Sequence, residues 1–182
     1  DFNSQVARMK SDGCDLVALG SVVRESVGIV TVAKKLGWEP AFVVSSPSYV
    51  PDLADLGKEA AEGIYGVGQI EIFYRDTATG KVKDFIEAYH KMFGIDPNLQ
   101  TTSGYNGAMV FAHYAAMAGK NLTTESLMAA LESGKVFDDI FGGAPVSFSK
   151  ENHLGVSAAV IGQIKNGRWT TIAKNQSYKT EK

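Results

Sequence analysis

The stretch DLVALGSVVRES, residues 15–26, holds the residues best placed for chemistry. An acidic residue leads into the apolar run Leu16 to Leu19, Gly20 and Ser21 follow, and from Val23 the pattern turns helical. Strand, tight turn and helix in that order form the place where open α/β folds hold ligands, beyond the carboxyl ends of the strands. A second polar loop, VVSSPSY at 43–49, follows another apolar run and brings Ser45, Ser46 and Tyr49. Neither stretch carries a nucleophile with its base. His90, His113 and His153 lie far apart, and neither G-x-S-x-G nor H-E-x-x-H occurs. GIYGVG lacks the spacing of a dinucleotide loop, and FGGAP follows no strand that opens a helix. His113, inside a greasy segment, reads as a hydrogen-bonded core histidine, and Asp138 and Asp139 read as a solvated pair. The expectation is a protein that is not an enzyme, with no cofactor and no metal site.

The bulk composition is that of a soluble globular protein. Of 182 residues, 45% are hydrophobic and 21% charged, with a net charge of −2. No basic block interleaved with aromatics points to nucleic acid, and no acidic tail points to a disordered partner segment. No apolar run approaches the roughly 20 residues of a membrane helix. The opening DFNSQVARMK has neither the basic start nor the apolar core of a signal peptide, and it lacks an initiator methionine, so the chain reads as mature or cut. Cys14 is the only cysteine, which excludes an internal disulfide and reads as a buried, inert thiol.

Periodicity then supplies the elements that must position these loops. Residues 3–12 read as a helix closed by Gly13, and DLVAL (15–19) as a short buried strand. Apolar residues at 23, 27, 30, 33 and 36 form a helical stripe ended by Gly37, and AFVV (41–44) is the next strand. Pro51 suits a first helical turn, with Leu53, Leu56 and Ala60 on one face, and GIYGVGQI (63–70) is a third strand. Alternating helix and strand with short connections predicts a parallel, doubly wound α/β sheet. Three helices follow: 81–93, 104–118, and one capped by Thr123 that runs through Leu131, with Glu125 favourably placed for the helix dipole. PVSFS (145–149), SAAVIGQI (157–164) and RWTTIA (168–173) read as strands, the last two joined by a KNG hairpin turn. GYNGAMVFAHYAAMA, 104–118, is apolar almost all round and so predicts a buried helix. Its sequence neighbours offer no sheet to bury it, so its partner is expected in sequence this chain lacks.

At this point the chain resembles a known family. DFNSQVARMKSDGCDLVALG followed by ESVGIVTVAKKLGW is similar to the second half of the leucine/isoleucine/valine-binding proteins, the type I periplasmic solute-binding proteins of ABC transporters. AAEGIYGV, FIEAYHKMFGIDPN, SGYNGAMVFAHYAAMAG, SLMAALESG and FGGAPVSFSKENH continue the likeness in order over nearly the whole chain. The resemblance implies the type I periplasmic-binding-protein fold, in which two α/β lobes close on a small solute. Residues 1–70 would begin the C-terminal lobe, 71–143 would be the helical return of the N-terminal lobe, and 144–182 would supply crossing strands and rejoin the C-terminal lobe. The missing N-terminal half would cover helix 104–118. It also implies an ABC permease as membrane partner and a periplasmic location, or an extracellular, membrane-anchored one.

The resemblance assigns the loops their roles. Gly20, Ser21 and Val22 would contact the solute, with backbone amides and the Ser21 hydroxyl meeting a carboxylate near the helix N-terminus. Arg24 is a cation of the wrong sign for a first helical turn. It is either a solvated Arg paired with Glu25 or a neighbour, or a guanidinium that holds the solute's carboxylate in a bidentate bond. Where amino-acid-binding members carry a carboxylate for the α-ammonium, this chain has Ser45 and Ser46. An unpaired ammonium in a dry cleft costs several kcal/mol, so an uncharged or carboxylate-bearing solute, aromatic ones included, stands beside an amino acid. Tyr49 is expected as an aromatic wall with an exposed loop tyrosine as its alternative, and Tyr105 as a second wall with a core tyrosine as its alternative. Val67 and Gly68 would lie near a hinge. A sensory receptor domain of the same fold remains the alternative to transport. The polar ending NQSYKTEK, with no span after it, favours transport.

Overall fold

A computed structural model describes residues 1–177, and residues 178–182 of the polar ending lie outside the described residues. The chain divides into two compact units, the first comprising Asp1–Ile72 and Ala159–Gln176, the second Phe73–Ala158. Residues 144–158 sit in the second unit.

The first unit is a five-stranded sheet in the order β1-β2-β3-β4-β5 with helices packed on it. Its elements are α1 (Asn3–Ser11), β1 (Leu16–Leu19), α2 (Val23–Lys35), β2 (Ala41–Val44), α3 (Pro51–Gly57) and β3 (Tyr65–Gly68). After the second unit follow β4 (Ala159–Lys165) and β5 (Arg168–Gln176). β1, β2 and β3 run parallel, and β4 and β5 add antiparallel, so the sheet is mixed. The antiparallel hairpin follows from Asn166 and Gly167. Both hold positive φ, 54° and 73°, which gives the twist a two-residue hairpin needs. The Glu62 carboxylate accepts the N–H groups of both turn residues at 2.8 and 3.1 Å.

The core forms where alternating strand residues meet the helical stripes. Val17, Leu19, Phe42, Val44 and Ile164 pack with Val6 of α1, Val30 and Ala33 of α2, and Leu53 and Ala54 of α3. Pro51 takes the first turn of α3, as its fixed φ favours. The expected stripe of α3 is only partly right, because Leu56 is 64% exposed: the helix stops at Gly57, and Ala61 beyond it fills the core position instead. The alternate strand residues Leu16, Tyr65 and Val67 leave the opposite sheet face exposed.

One assembly fixes the centre of this sheet. The Tyr49 ring lies over Gly66, Gly68 and Gly162, where an added Cβ would come within 2.5, 2.4 and 2.7 Å of ring atoms. Trp169 of β5 meets that ring edge-on at 4.7 Å and donates its indole N–H to the Val50 carbonyl at 2.8 Å. The glycines of β3 are therefore seats for a ring.

The second unit holds α4 (Gly80–Phe93), α5 (Leu99–Ala118) and α6 (Thr124–Leu131). Asn98 with Thr101 and Thr123 with Ser126 form capping boxes, which start α5 five residues earlier than its apolar pattern suggests. Among the described residues α5 buries only Thr102 and Tyr114 fully, and Phe111 is 54% exposed. The helix expected to be buried on every side is thus largely uncovered within this chain. The expected strand PVSFS is not formed: among the described residues Val146 makes an isolated bridge with Phe137 that no ladder extends. No described helix is long and apolar enough to cross a membrane.

Candidate functional site

The turns that follow β1 and β2 emerge at the same end of the parallel strands, and a chain of hydroxyls joins them. Ser21 Oγ lies 2.9 Å from Ser26 Oγ, Ser26 Oγ lies 2.8 Å from Ser48 Oγ, and Ser48 Oγ donates to the Ser21 carbonyl at 2.7 Å. Ser26 and Ser48 are fully buried, so the chain closes a ring beneath the surface while Ser21 remains half-buried at its rim. Ser45 reinforces the junction: its N–H donates to the Leu19 carbonyl at 3.2 Å and its hydroxyl to the same oxygen at 3.4 Å. Nothing in the periodicity marked Ser26 or Ser48. The one available signal was a serine amid the buried stripe of α2, which must find a partner for its hydroxyl.

Val22 precedes the first turn of α2 in an extended conformation, and no side chain caps the helix. The first-turn amides therefore remain open donors at the site, in the field of the helix N-terminus. Arg24 is exposed and forms no ion pair among the described residues, so its expected pairing with Glu25 does not occur. One Glu25 carboxylate oxygen is buried without a hydrogen-bond partner on that same first turn. Ser46 opens a short 3₁₀ turn, Ser46–Ser48, and is exposed. Ser21, Val22, Arg24 and Ser46 thus all belong to the two turns beyond the strand ends.

Tyr49 does not. It is 1% exposed, and the glycine seats and Trp169 hold its ring in the core, which corrects its expected place as a wall of the site. Val67 and Gly68 are paired within β3 opposite Ile161 and Val160, and Gly68 is required by the Tyr49 ring. Tyr105 lies in the second unit, 41% exposed, with its ring 4.5 Å from Phe85 and 6.1 Å from Phe141.

The other polar candidates have structural roles. Asp139 accepts the N–H groups of Phe141 and Gly143 at 2.7 and 3.2 Å, which shapes a turn and corrects its reading as simply solvated. His113 packs edge-on against Tyr114, and its Nε2 is buried without a hydrogen-bond partner, contrary to the expected bonded histidine. No group of three or more metal-ligating side chains gathers among the described residues. A hollow of about 350 Å³, lined by Lys34, Trp38, Glu59 and Glu62 among others, lies toward the start of β2 and β3, away from the two turns.

An α/β unit with open amides and a serine cluster beyond its parallel strand ends belongs to the class of folds that bind small ligands at that edge. The comparisons make the class specific. The chain matches the periplasmic binding protein family over residues 1–168 and belongs to that family. It is 23% identical over 177 residues to Leu/Ile/Val-binding protein homolog 8 of Brucella abortus, covering 94% of this chain and 44% of that protein. A branched-chain amino acid ABC transporter protein from Thermus thermophilus with bound valine superposes with a TM-score of 0.83 at 21% identity, over 98% of this chain and 50% of that one. A fatty acid ABC transporter substrate-binding protein from Thermomonospora curvata gives 0.76 at 24% identity, over 100% and 47%. At such identities these structures establish the fold, that of the type I periplasmic binding proteins. The chain spans about half the length of the relatives it matches.

Proposed function

We propose that this chain supplies the second half of a solute-binding component of an ABC importer, which closes on a small solute and delivers it to a membrane permease. On this reading the first unit is the core of the C-terminal lobe, and the second unit is the helical return of the N-terminal lobe. A first half outside this chain covers α5 and the open face of the sheet, and the protein works on the outer side of the cytoplasmic membrane. The solute is a small amino acid or carboxylate.

The observation that carries the reading is the joined pair of turns beyond β1 and β2. The open first-turn amides of α2 suit a carboxylate, and the serine ring holds both turns in one geometry, so little ordering is left to do on binding. Binding acts by population: a solute whose contacts are completed only in the closed form shifts the protein toward that form. Arg24, exposed on the first turn of α2, is the candidate second donor to a carboxylate.

The test is a thermal-shift panel on the two-lobed protein. Leucine, isoleucine and valine are set against aromatic and short aliphatic carboxylates. A solute at 100 times its dissociation constant adds about 2.7 kcal/mol, a shift of a few degrees. A shift with at least one member is expected, reduced by Arg24→Ala for carboxylate-bearing solutes. No shift with any member contradicts the proposal.

A further inference from the structure

The serine ring has a direction, and the direction fixes what Ser21 can offer. A hydroxyl has one proton and two lone pairs. Ser48 Oγ bonds the Ser21 carbonyl, which can only accept, so the Ser48 proton is spent there. Toward Ser26, Ser48 can then only accept, and the proton in that 2.8 Å contact belongs to Ser26. Ser26 has now spent its own proton, so in its 2.9 Å contact with Ser21 it accepts and Ser21 donates. Each step follows from the one before, and the whole sequence is anchored by a carbonyl.

We propose that this hydroxyl relay is a specificity device: Ser48 holds Ser26 as an acceptor, Ser26 takes the proton of Ser21, and Ser21 therefore meets a solute only as an acceptor and selects one presenting an N–H or O–H donor to it. This rests on the solute-binding reading above and deepens it. It also reverses the expectation that the Ser21 hydroxyl donates to a carboxylate. That task falls to the open amides of α2, which leaves donors and an acceptor side by side at one turn. Ser45 follows the same rule, since its hydroxyl proton is directed at the Leu19 carbonyl. Ser26 and Ser48 are fully buried and touch no solute, so they are positioning residues acting through Ser21.

The relay is tested by locating deuterons through neutron diffraction of the two-lobed protein. The expected map has the Ser48 deuteron on the Ser21 carbonyl, the Ser26 deuteron on Ser48 Oγ and the Ser21 deuteron on Ser26 Oγ. A Ser21 deuteron pointing away from Ser26 overturns the proposal. Calorimetry with leucine and with 4-methylpentanoate, the same acid without its amine, reads the consequence. The parent is expected to favour leucine, and Ser26→Ala, which releases the Ser21 proton, is expected to erode that preference about tenfold. Ser21→Ala should erode it similarly. A preference unchanged in both variants, or a parent that favours the deaminated acid, overturns the proposal. If neither probe binds, the amino acid or carboxylate assignment fails on these compounds, while the deuteron map still decides the relay.

Discussion

Helices α2 and α5 are both rich in apolar residues, yet they meet opposite fates. α2 turns Val30 and Ala33 into a core shared with Val17, Leu19 and Val44 of the sheet. α5 is apolar on nearly every side and still leaves Tyr105, Met109, Phe111 and Met117 exposed. The first helix carries a stripe because one face of it, with Val30 and Ala33, is buried in that core. The second lacks a polar face because it is built for neighbours on several sides, and this chain provides few of them. On the two-lobed reading proposed above, the complement of α5 lies in the half of the protein that this chain does not span.

Charge scanning gives the sharpest form of this comparison. Val30→Asp places an unpaired carboxylate in the core and is expected to cost more than about 4 kcal/mol in denaturant unfolding. Phe111→Asp in this chain is expected to change stability by no more than about 0.5 kcal/mol. In the two-lobed protein the same change should become strongly destabilising. Equal tolerance of Phe111→Asp in both forms would break the comparison.

Within the first unit, the fit of Tyr49 against β3 can be probed alone. Gly68→Ala puts a methyl group where only 2.4 Å separates the added Cβ from the ring, and overpacking of this kind costs about 1–3 kcal/mol. Tyr49→Leu in that background should recover part of the loss. The caps of the second unit come next: Thr123→Ala removes the acceptor for the Ser126 N–H and should cost about 1 kcal/mol, read as a fall in midpoint.

The smallest effect is a pH dependence. The Glu125 carboxyl is held below the ordinary carboxylate value by its own backbone N–H and then by the Thr123 hydroxyl. The Glu87 carboxyl is lowered by its hydrogen bond from Arg75. A depressed carboxyl stabilises the fold above its unfolded value and loses that contribution as pH falls through its folded value. Melting temperature should therefore decline on acidification below the ordinary carboxylate range, and Glu125→Gln should flatten part of the slope. An unchanged slope would remove Glu125 from the account.

Much of this was legible in the sequence for a physical reason. β1, β2, α2 and α4 are local in origin, set by alternation, stripes and the glycines that stop helices. The turn at Gly20–Ser21 was legible for the same reason. What escaped was decided by distant partners. PVSFS alternates like a strand, but a strand needs a neighbour along its length, and among the described residues its bridge with Phe137 is an isolated one. Tyr49 looked like a loop aromatic until three glycines, one of them 113 positions away in β4, were brought beneath its ring. Ser48, in a polar loop, gave no hint that it would bond a hydroxyl of α2.

The most direct measurement is amide hydrogen exchange in the two-lobed protein, with and without the solute that gives the largest thermal shift. The account predicts strong added protection at residues 20–25, where the open amides begin α2, and at 45–48 in the turn joined to them. Saturating solute that leaves both turns exchanging as before would place the site elsewhere and contradict the account.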